Sequence, residues 1–281
     1  MSSTDLSGHV DFHQFSKLTS LSFLDLTHNL FTGSINDFSS RSLRILDLSN
    51  SKLQGHFPNS IFELKNLLLL SLSSNNLSGL VNFHQFSKLK YISGLYLSYN
   101  SFLSINFDSG VDYNLPNLEV LYLSSCNINS FPKFLPRLQH LHTLDLSRSK
   151  IEGSIPQWFH EKLLHSWENI QFVDLSFNKL QGDLPIPPNG IEYFSVSNNE
   201  LTGDIPSTMC NATSLTMLNL AHNNLRGLIP QCLGTFPSLS VLNLQKNNLR
   251  GSMTQNFSKR NAFETIKLNG KTSWRDHYQS L

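Results

Sequence analysis

Eleven histidines, three cysteines and many Ser and Asp residues are spread over the 281-residue chain, and their spacing decides whether they can do chemistry. His140 and His142 are two apart, so a strand would place both rings on one side, yet no third ligand follows at a spacing that completes a zinc site. Asp25, Asp47 and Asp145 each stand in Leu-Asp-Leu, and Asp174 stands at the same frame position in Val-Asp-Leu. Recurrence at one frame position marks them as a ladder of outward structural carboxylates, because a general base has no reason to repeat. No Gly-x-Ser-x-Gly elbow, phosphate-binding loop, dinucleotide fingerprint or kinase Gly-rich loop occurs. The expectation is therefore a non-enzyme, with no catalytic residue, metal or cofactor.

The elements that would position these groups come from a repeat. Leu occurs 49 times and Asn 29 times, spread from end to end, which points to one unit copied many times. Aligned on Leu-x-x-Leu-x-Leu, copies start at Leu21, Leu43, Leu67, Ile92, Leu118, Leu141, Ile170, Ile191, Leu215, Leu239 and a degraded Phe263, most often 24 residues apart. The clearest copy runs Leu215, Leu218, Leu220, Asn223, Leu225, Gly227, Ile229, Pro230. Leu218 and Leu220 alternate with period two, so they point inward from a short strand. The Asn column (Asn29, Asn75, Asn100, Asn178, Asn199, Asn223, Asn247) stacks at the turn after the strand, where its amides can satisfy backbone groups that the bend would bury. Ser51 and Ser149 supply only part of that bonding, and Cys126 less. A Gly column permits the turn beyond, and the following apolar-Pro pair returns as an extended or 3₁₀ segment.

Two departures interrupt the period. Between Gln157 and Asn169 an insert carries Trp158, Phe159, Leu163, Leu164 and Trp167, a spacing that predicts a short amphipathic helix. Between Ser101 and Pro116 the Gly is missing from its column. Residues 6–21 recur as 77–92, displaced by 71 residues, which reads as duplication of a three-repeat block.

The outward strand positions are the candidate binding surface, since an open sheet built from repeats presents them with few constraints on residue type. They give Tyr96, Tyr99, Tyr122, Phe172 and Tyr193 as exposed aromatics, with Phe23 and Phe177, and Arg44, Arg148, His222 and Lys246 as nearby charges. Aromatics and Arg tend to anchor interfaces. Lateral packing between strands is the competing role for any one of the aromatics. Cys210 and Cys232 lie in adjacent repeats, and coils stacked roughly 5 Å apart bring the thiols within disulfide reach where their Cβ vectors agree. Such a bond forms in an oxidising compartment and not in the cytosol. Three sequons, at Asn76, Asn211 and Asn256, are candidate glycosylation sites on a chain that is translocated. A net charge of +1 with 15% charged residues leaves no footprint for nucleic acid or an anionic membrane.

The Gly-x-Ile-Pro tail of the repeat (Gly153–Pro156, Gly203–Pro206, Gly227–Pro230) resembles the plant extracellular leucine-rich repeat class. Within it, LPIPPNGIEYFSVSNNELTGDIPSTMCN followed by IPQCLGTFPSLSVLNLQKNNLRG is similar to the receptor-like proteins of plant defence, the group that includes the tomato leaf-mould resistance receptors. The resemblance implies an α/β repeat fold: a leucine-rich repeat solenoid curving as a right-handed arc, with a parallel concave β-sheet and a 3₁₀ or irregular convex side. It implies a secreted ectodomain on one membrane helix, recognition of a protein or peptide ligand in defence or developmental signalling, and signalling through co-receptor kinases at the plasma membrane. Alternatives open at this level are a soluble wall protein of the polygalacturonase-inhibitor type, which shares the repeat but is capped by cysteines that this chain lacks, and a decayed receptor copy without function.

About eleven uncapped repeats are expected over 1–270, followed by a non-repeat tail, 271–281. Residues 1–10 contain no apolar run and the longest, Leu67–Leu70, is too short to span a bilayer, so signal peptide and anchor are expected to be lost by truncation at both ends. The tail KTSWRDHYQSL admits codons that, read one base earlier, continue the repeat as Asn-Lys-Leu-Glu-Gly-Pro-Leu-Pro. A frameshift at codon 271 is therefore predicted, and genomic sequence whose codons cannot be read in that frame would rule it out.

Overall fold

The computed structural model describes residues 5–36, 38–107, 113–251 and 262–268. The chain divides into two compact units, Met1–Lys150 and Ile151–Leu281. In the first unit the Leu-x-Leu pairs form three-residue strands: Phe23–Asp25, Ile45–Asp47, Leu69–Ser71, Gly94–Tyr96, Val120–Tyr122 and Thr143–Asp145. They pair in parallel with Leu24, Leu46, Leu70, Leu95, Leu121 and Leu144 in one continuous row. All six leucines are buried. The second unit repeats the arrangement with Phe172–Asp174, Tyr193–Ser195, Met217–Asn219, Val241–Asn243 and Thr265–Lys267, whose central residues Val173, Phe194, Leu218, Leu242 and Ile266 stand in register. Three residues do not make a strand alone; each is held by its neighbours in the stack.

The turn after each strand is held by the Asn column, and each amide ties its own coil to the one before. Asn100, fully buried, accepts the Leu77 N–H on Oδ1 at 3.1 Å and donates through Nδ2 to the carbonyls of Leu97 and Leu72, both at 2.9 Å. Asn199, Asn223 and Asn247 repeat this pattern in the second unit. The substitutes fall short, but in the reverse of the expected order, because the longer reach of the Cys side chain crosses to the preceding coil and that of Ser does not. Cys126 reaches the Leu97 carbonyl through Sγ at 3.1 Å, Ser149 reaches only Ser147 O within its own coil at 3.3 Å, and Ser51 Oγ is buried without a partner.

Past the Asn turn the structure adds what the repeat pattern did not announce, a second parallel sheet. In the first unit it comprises Ser7–His9, Leu30–Gly33, Lys52–His56, Asn76–Asn82 and Phe102–Asn106. In the second, Glu152–Ser154 pairs with Lys179–Gln181, and Arg226–Leu228 with Asn248–Arg250. The Gly column lies inside these strands. At Gly227, with φ of +79°, an added Cβ would stand 2.6 Å from Asp204 Oδ1 of the preceding coil, so only glycine lets the coils close to strand distance here. The stretch after Ser101, which lacks that glycine, pairs over five residues, from Ser78–Phe102 to Asn82–Asn106.

The return path follows the prolines. Pro58, Pro206 and Pro230 precede the 3₁₀ turns Asn59–Glu63, Ser207–Asn211 and Gln231–Gly234, and Pro156 precedes an α-helix at Gln157–His165. That helix occupies the predicted insert and buries Phe159 and Leu163, with Trp167 edge-on to Phe159 at 5.6 Å. The duplicated block gives an internal comparison. Phe-His-Gln-Phe-Ser is α-helical at Phe12–Ser16 and begins the 3₁₀ helix Phe83–Lys88. Asp11 caps the first by accepting the His13 N–H at 3.1 Å, whereas the Oδ1 of Asn82, at the same place before the second, is taken by Asn106 Nδ2 at 3.2 Å.

Asn100→Ala strips the buried Leu77 N–H of its partner and removes one of two donors from the Leu72 and Leu97 carbonyls, which keep Asn75 Nδ2 and Cys126 Sγ, and is expected to destabilise the chain by about 2 kcal/mol. Ser51→Asn restores a ladder rung, sharing Leu48 O with Asn75 as Asn75 and Asn100 already share Leu72 O, and should stabilise by about 1 kcal/mol. Urea unfolding of the two variants beside the parent measures both, and a neutral Asn100→Ala would discount the ladder.

Candidate binding surface

The outward row of the first-described sheets carries the aromatics in pairs. Tyr96 and Tyr122 are register partners on adjacent strands, and their rings stack at 5.2 Å with 12° between planes. Phe172 and Tyr193 do the same in the second unit at 4.1 Å and 13°, and the Tyr193 hydroxyl donates to Asp174 Oδ2 at 3.3 Å. All four are half-buried, so the aromatics do pack laterally between strands while staying partly exposed. Stacks of this kind are worth about 0.5–1.5 kcal/mol beyond area burial. Burial, and then the nearby Asp47 carboxylate, push the Tyr96 phenol above its ordinary range, so it remains a neutral hydrogen-bond donor.

Tyr99 does not lie on a strand, which corrects its reading as an outward strand position, and Arg148, His222 and Lys246, read as nearby charges, stand in the same kind of turn. They occupy the turn, immediately before the Asn column, with φ of 60°, 51°, 56° and 54°. Phe177 holds the same place at 56°. The left-handed conformation costs about 1–2 kcal/mol for a residue with a Cβ. It is offset by a bond to the next coil: Tyr99 N–H donates to Ser124 O and His222 N–H to Gln245 O, both at 2.8 Å. The side chains project beyond the strand ends, Tyr99 being 52% and Phe177 44% exposed. Frame position alone locates this column, but the backbone conformation that aims it is invisible in a periodicity of apolar residues.

The carboxylates are structural. Oδ1 of Asp25, Asp47, Asp145 and Asp174 accepts the N–H two residues on, at 2.9, 3.0, 2.8 and 2.8 Å. That bond from Thr27 is the largest cause holding the Asp25 carboxyl below its ordinary range. Asp145 departs from the outward ladder in being buried, at 9% exposure. Among the described residues no cluster of His, Cys, Asp and Glu could hold a metal ion, and no helix is long and apolar enough to cross a membrane. Cys210 and Cys232, on successive 3₁₀ turns, are joined as a disulfide with Cα atoms 5.6 Å apart. Asn76 opens a second-sheet strand and Asn211 closes a 3₁₀ turn, both exposed. Asn256 and the tail 271–281 fall outside the described residues.

Stacked strands, the buried Asn turn and the Gly strand together describe one repeating coil, and a family model described as a leucine-rich repeat region matches residues 1–272. The chain belongs to the leucine-rich repeat family. Its relatives are plant receptor-like proteins: it is 36% identical to Receptor like protein 24 of Arabidopsis thaliana over 224 residues, 72% of this chain and 26% of that protein. With Receptor like protein 27 of the same plant it shares 38% over 200 residues, 63% of this chain and 24% of the other. The chain thus spans about a quarter of the length of the curated relatives it matches. Among solved structures it is similar to the plant peptide hormone receptor RGFR1 in complex with RGF2, with TM-score 0.74 and 30% identity over 90% of this chain and 40% of that one. It is also similar to the Arabidopsis receptor kinase HAESA in complex with the peptide hormone IDA and the co-receptor SERK1, with TM-score 0.73 and 30% identity over 89% and 42%.

The remaining thiol of this leucine-rich repeat chain, Cys126, is fully buried, and burial pushes its pKa up to about 12. It should resist maleimide labelling in the native state at pH 8 and react once the chain is unfolded. Because the folded value lies above the unfolded one, the stabilisation from keeping this thiol protonated is complete below about pH 8.5 and is lost as pH rises towards 12. Cys126→Ser should flatten that alkaline limb; rapid native labelling would contradict the burial.

Proposed function

We propose that this chain is part of the ligand-recognition ectodomain of a plant receptor-like protein, on the extracellular side of the plasma membrane, and that it binds a peptide or protein without catalysis in defence or developmental signalling. The observation that carries this reading is the contrast between the two sides of one sheet. The inward row in the first unit is Leu at every strand, while its outward neighbours Phe23, Ile45, Leu69, Gly94, Val120 and Thr143 differ in size, branching and polarity from strand to strand. A row that the fold leaves free to vary is where specificity is written.

In the first unit the anchors are the Tyr96–Tyr122 stack with Tyr99 and Arg148 at the strand ends. In the second they are the Phe172–Tyr193 stack, with His222 and Lys246 in the same turn column. Stiff, partly exposed aromatics flanked by charge are what hot spots are made of. The likeness to peptide-bound plant receptors supports a peptide as the ligand class, and the co-receptor in one of them supports a receptor kinase as the signalling partner.

The test places a photo-crosslinking amino acid at Val120 or Met217 on the outward row, or at Gln54 or Gln181 on the second sheet as controls, and exposes the chain to peptides secreted by plant tissue. Capture at Val120 or Met217 and not at the controls is expected. Capture confined to the controls, or none at any position, would overturn the reading.

A further inference from the structure

The second sheet of the first unit carries an apolar patch that the binding surface does not explain. Strand Asn76–Asn82 alternates, with Leu77 and Val81 buried and Asn76, Ser78, Leu80 and Asn82 on the outer side. On the neighbouring strand Phe102, Ser104 and Asn106 face the same way, with Phe102 opposite Ser78 and Ser104 opposite Leu80. The other outward residues here are polar: Gln54 opposite Asn76, His56 opposite Ser78, and the Asn82–Asn106 amide pair. Leu80 at 67% exposure and Phe102 at 65% stand among them as the two large apolar side chains most open to solvent on this face. A single exposed apolar side chain needs no explanation, but Leu80 and Phe102 are diagonal neighbours across one strand pair, close enough for one cover to reach both.

For one such cover the chain itself supplies the attachment point. Asn76-Leu77-Ser78 is a sequon. Asn75, its neighbour, is consumed by the ladder, bonding Leu53 N, Leu48 O and Leu72 O, whereas the Asn76 side chain is exposed and makes no hydrogen bond. Asn76 is two residues from Ser78 on the same face, and Phe102 is one strand across from Ser78. Those steps amount to roughly 8 Å between the Cα atoms of Asn76 and Phe102, within reach of the first pyranose ring of a glycan linked through the Asn side chain. The apolar face of a pyranose, lined by axial C–H groups, packs on an aromatic ring much as an aliphatic side chain does.

We propose that Phe102 and Leu80 form the seat of an N-linked glycan carried by Asn76. This rests on the ectodomain reading, because the modification needs passage through the secretory pathway. There the Asn76 amide nitrogen attacks C1 of a lipid-diphosphate-linked oligosaccharide. The N–C1 bond forms, the bond from C1 to the diphosphate oxygen breaks, the lipid diphosphate leaves, and the amide proton passes to the transferase. The first sugar then covers Phe102, with Leu80 beside it, so the apolar patch on the second sheet becomes a hydrated carbohydrate surface.

The full chain is secreted behind a supplied leader from cells that leave glycans in the high-mannose form, so the outcome does not depend on how the native product is targeted and failure here leaves the ectodomain reading standing. Site occupancy is read by mass spectrometry, and exposure of Phe102 and Leu80 by hydroxyl-radical footprinting. Expected are occupancy at Asn76, oxidation of Phe102 and Leu80 that falls relative to Asn76→Gln, and protection that survives trimming to the first sugar but is lost on complete removal. An unoccupied Asn76, oxidation equal to that of Asn76→Gln, or protection lost on trimming would each overturn the proposal.

Discussion

Everything in this chain depends on a buried amide. A coil of about 24 residues must reverse direction immediately after its strand, and the reversal leaves N–H and C=O groups inside the stack, where an unpaired group costs about 1–3 kcal/mol. Asn meets the need because one short side chain both accepts and donates. It bonds backwards to the preceding coil and downwards to its own, so the turn and the stacking are secured by the same atoms. Seven coils use it, and the three that do not show what is missing: Ser149 bonds only within its coil, Cys126 offers a weak donor, and Ser51 offers nothing that is used.

With the turn fixed, the two sheets acquire different freedoms. The strand before the turn places leucine inward and leaves its outer residue unconstrained, which lets Tyr96, Tyr122, Phe172 and Tyr193 appear without penalty to the core. The residue before the Asn is forced into a left-handed conformation by the bond to the next coil, and its side chain is thrown beyond the strand ends. The strand after the turn is built around glycine and mostly polar, with exposed apolar side chains at Leu228 in the second unit and at Leu80 and Phe102, on adjacent strands, in the first. The proposed recognition row and the proposed carbohydrate cover thereby fall on different strands of one coil.

The duplicated block shows how far local sequence reaches. Two copies of Phe-His-Gln-Phe-Ser begin in the same frame and end as different helices, because Asp11 is free to cap and Asn82 is engaged by Asn106 on another strand. The contrast lies in a partner 24 residues away, which no window around the pentapeptide contains. The second sheet was illegible for a related reason. Its strands are short, interrupted by glycine and weakly alternating, so they carry little propensity and exist only because the coils stand at strand distance.

The sequence by itself determined the repeat, its inward leucines, the Asn turn, the Asp ladder as structural and the helix at Gln157–His165, because each is written as a periodic choice of residue with one physical purpose. It also marked the aromatics and the cysteine pair as candidates. Only the tertiary structure decided that the aromatics stack in pairs, that Tyr99 stands in the turn with Arg148, His222 and Lys246 in the equivalent turns, and that Asn76 and Phe102 lie on adjacent strands of one sheet. Those outcomes are set by neighbours roughly a full coil away in sequence, and periodicity says that the coils stack but not which side chain meets which.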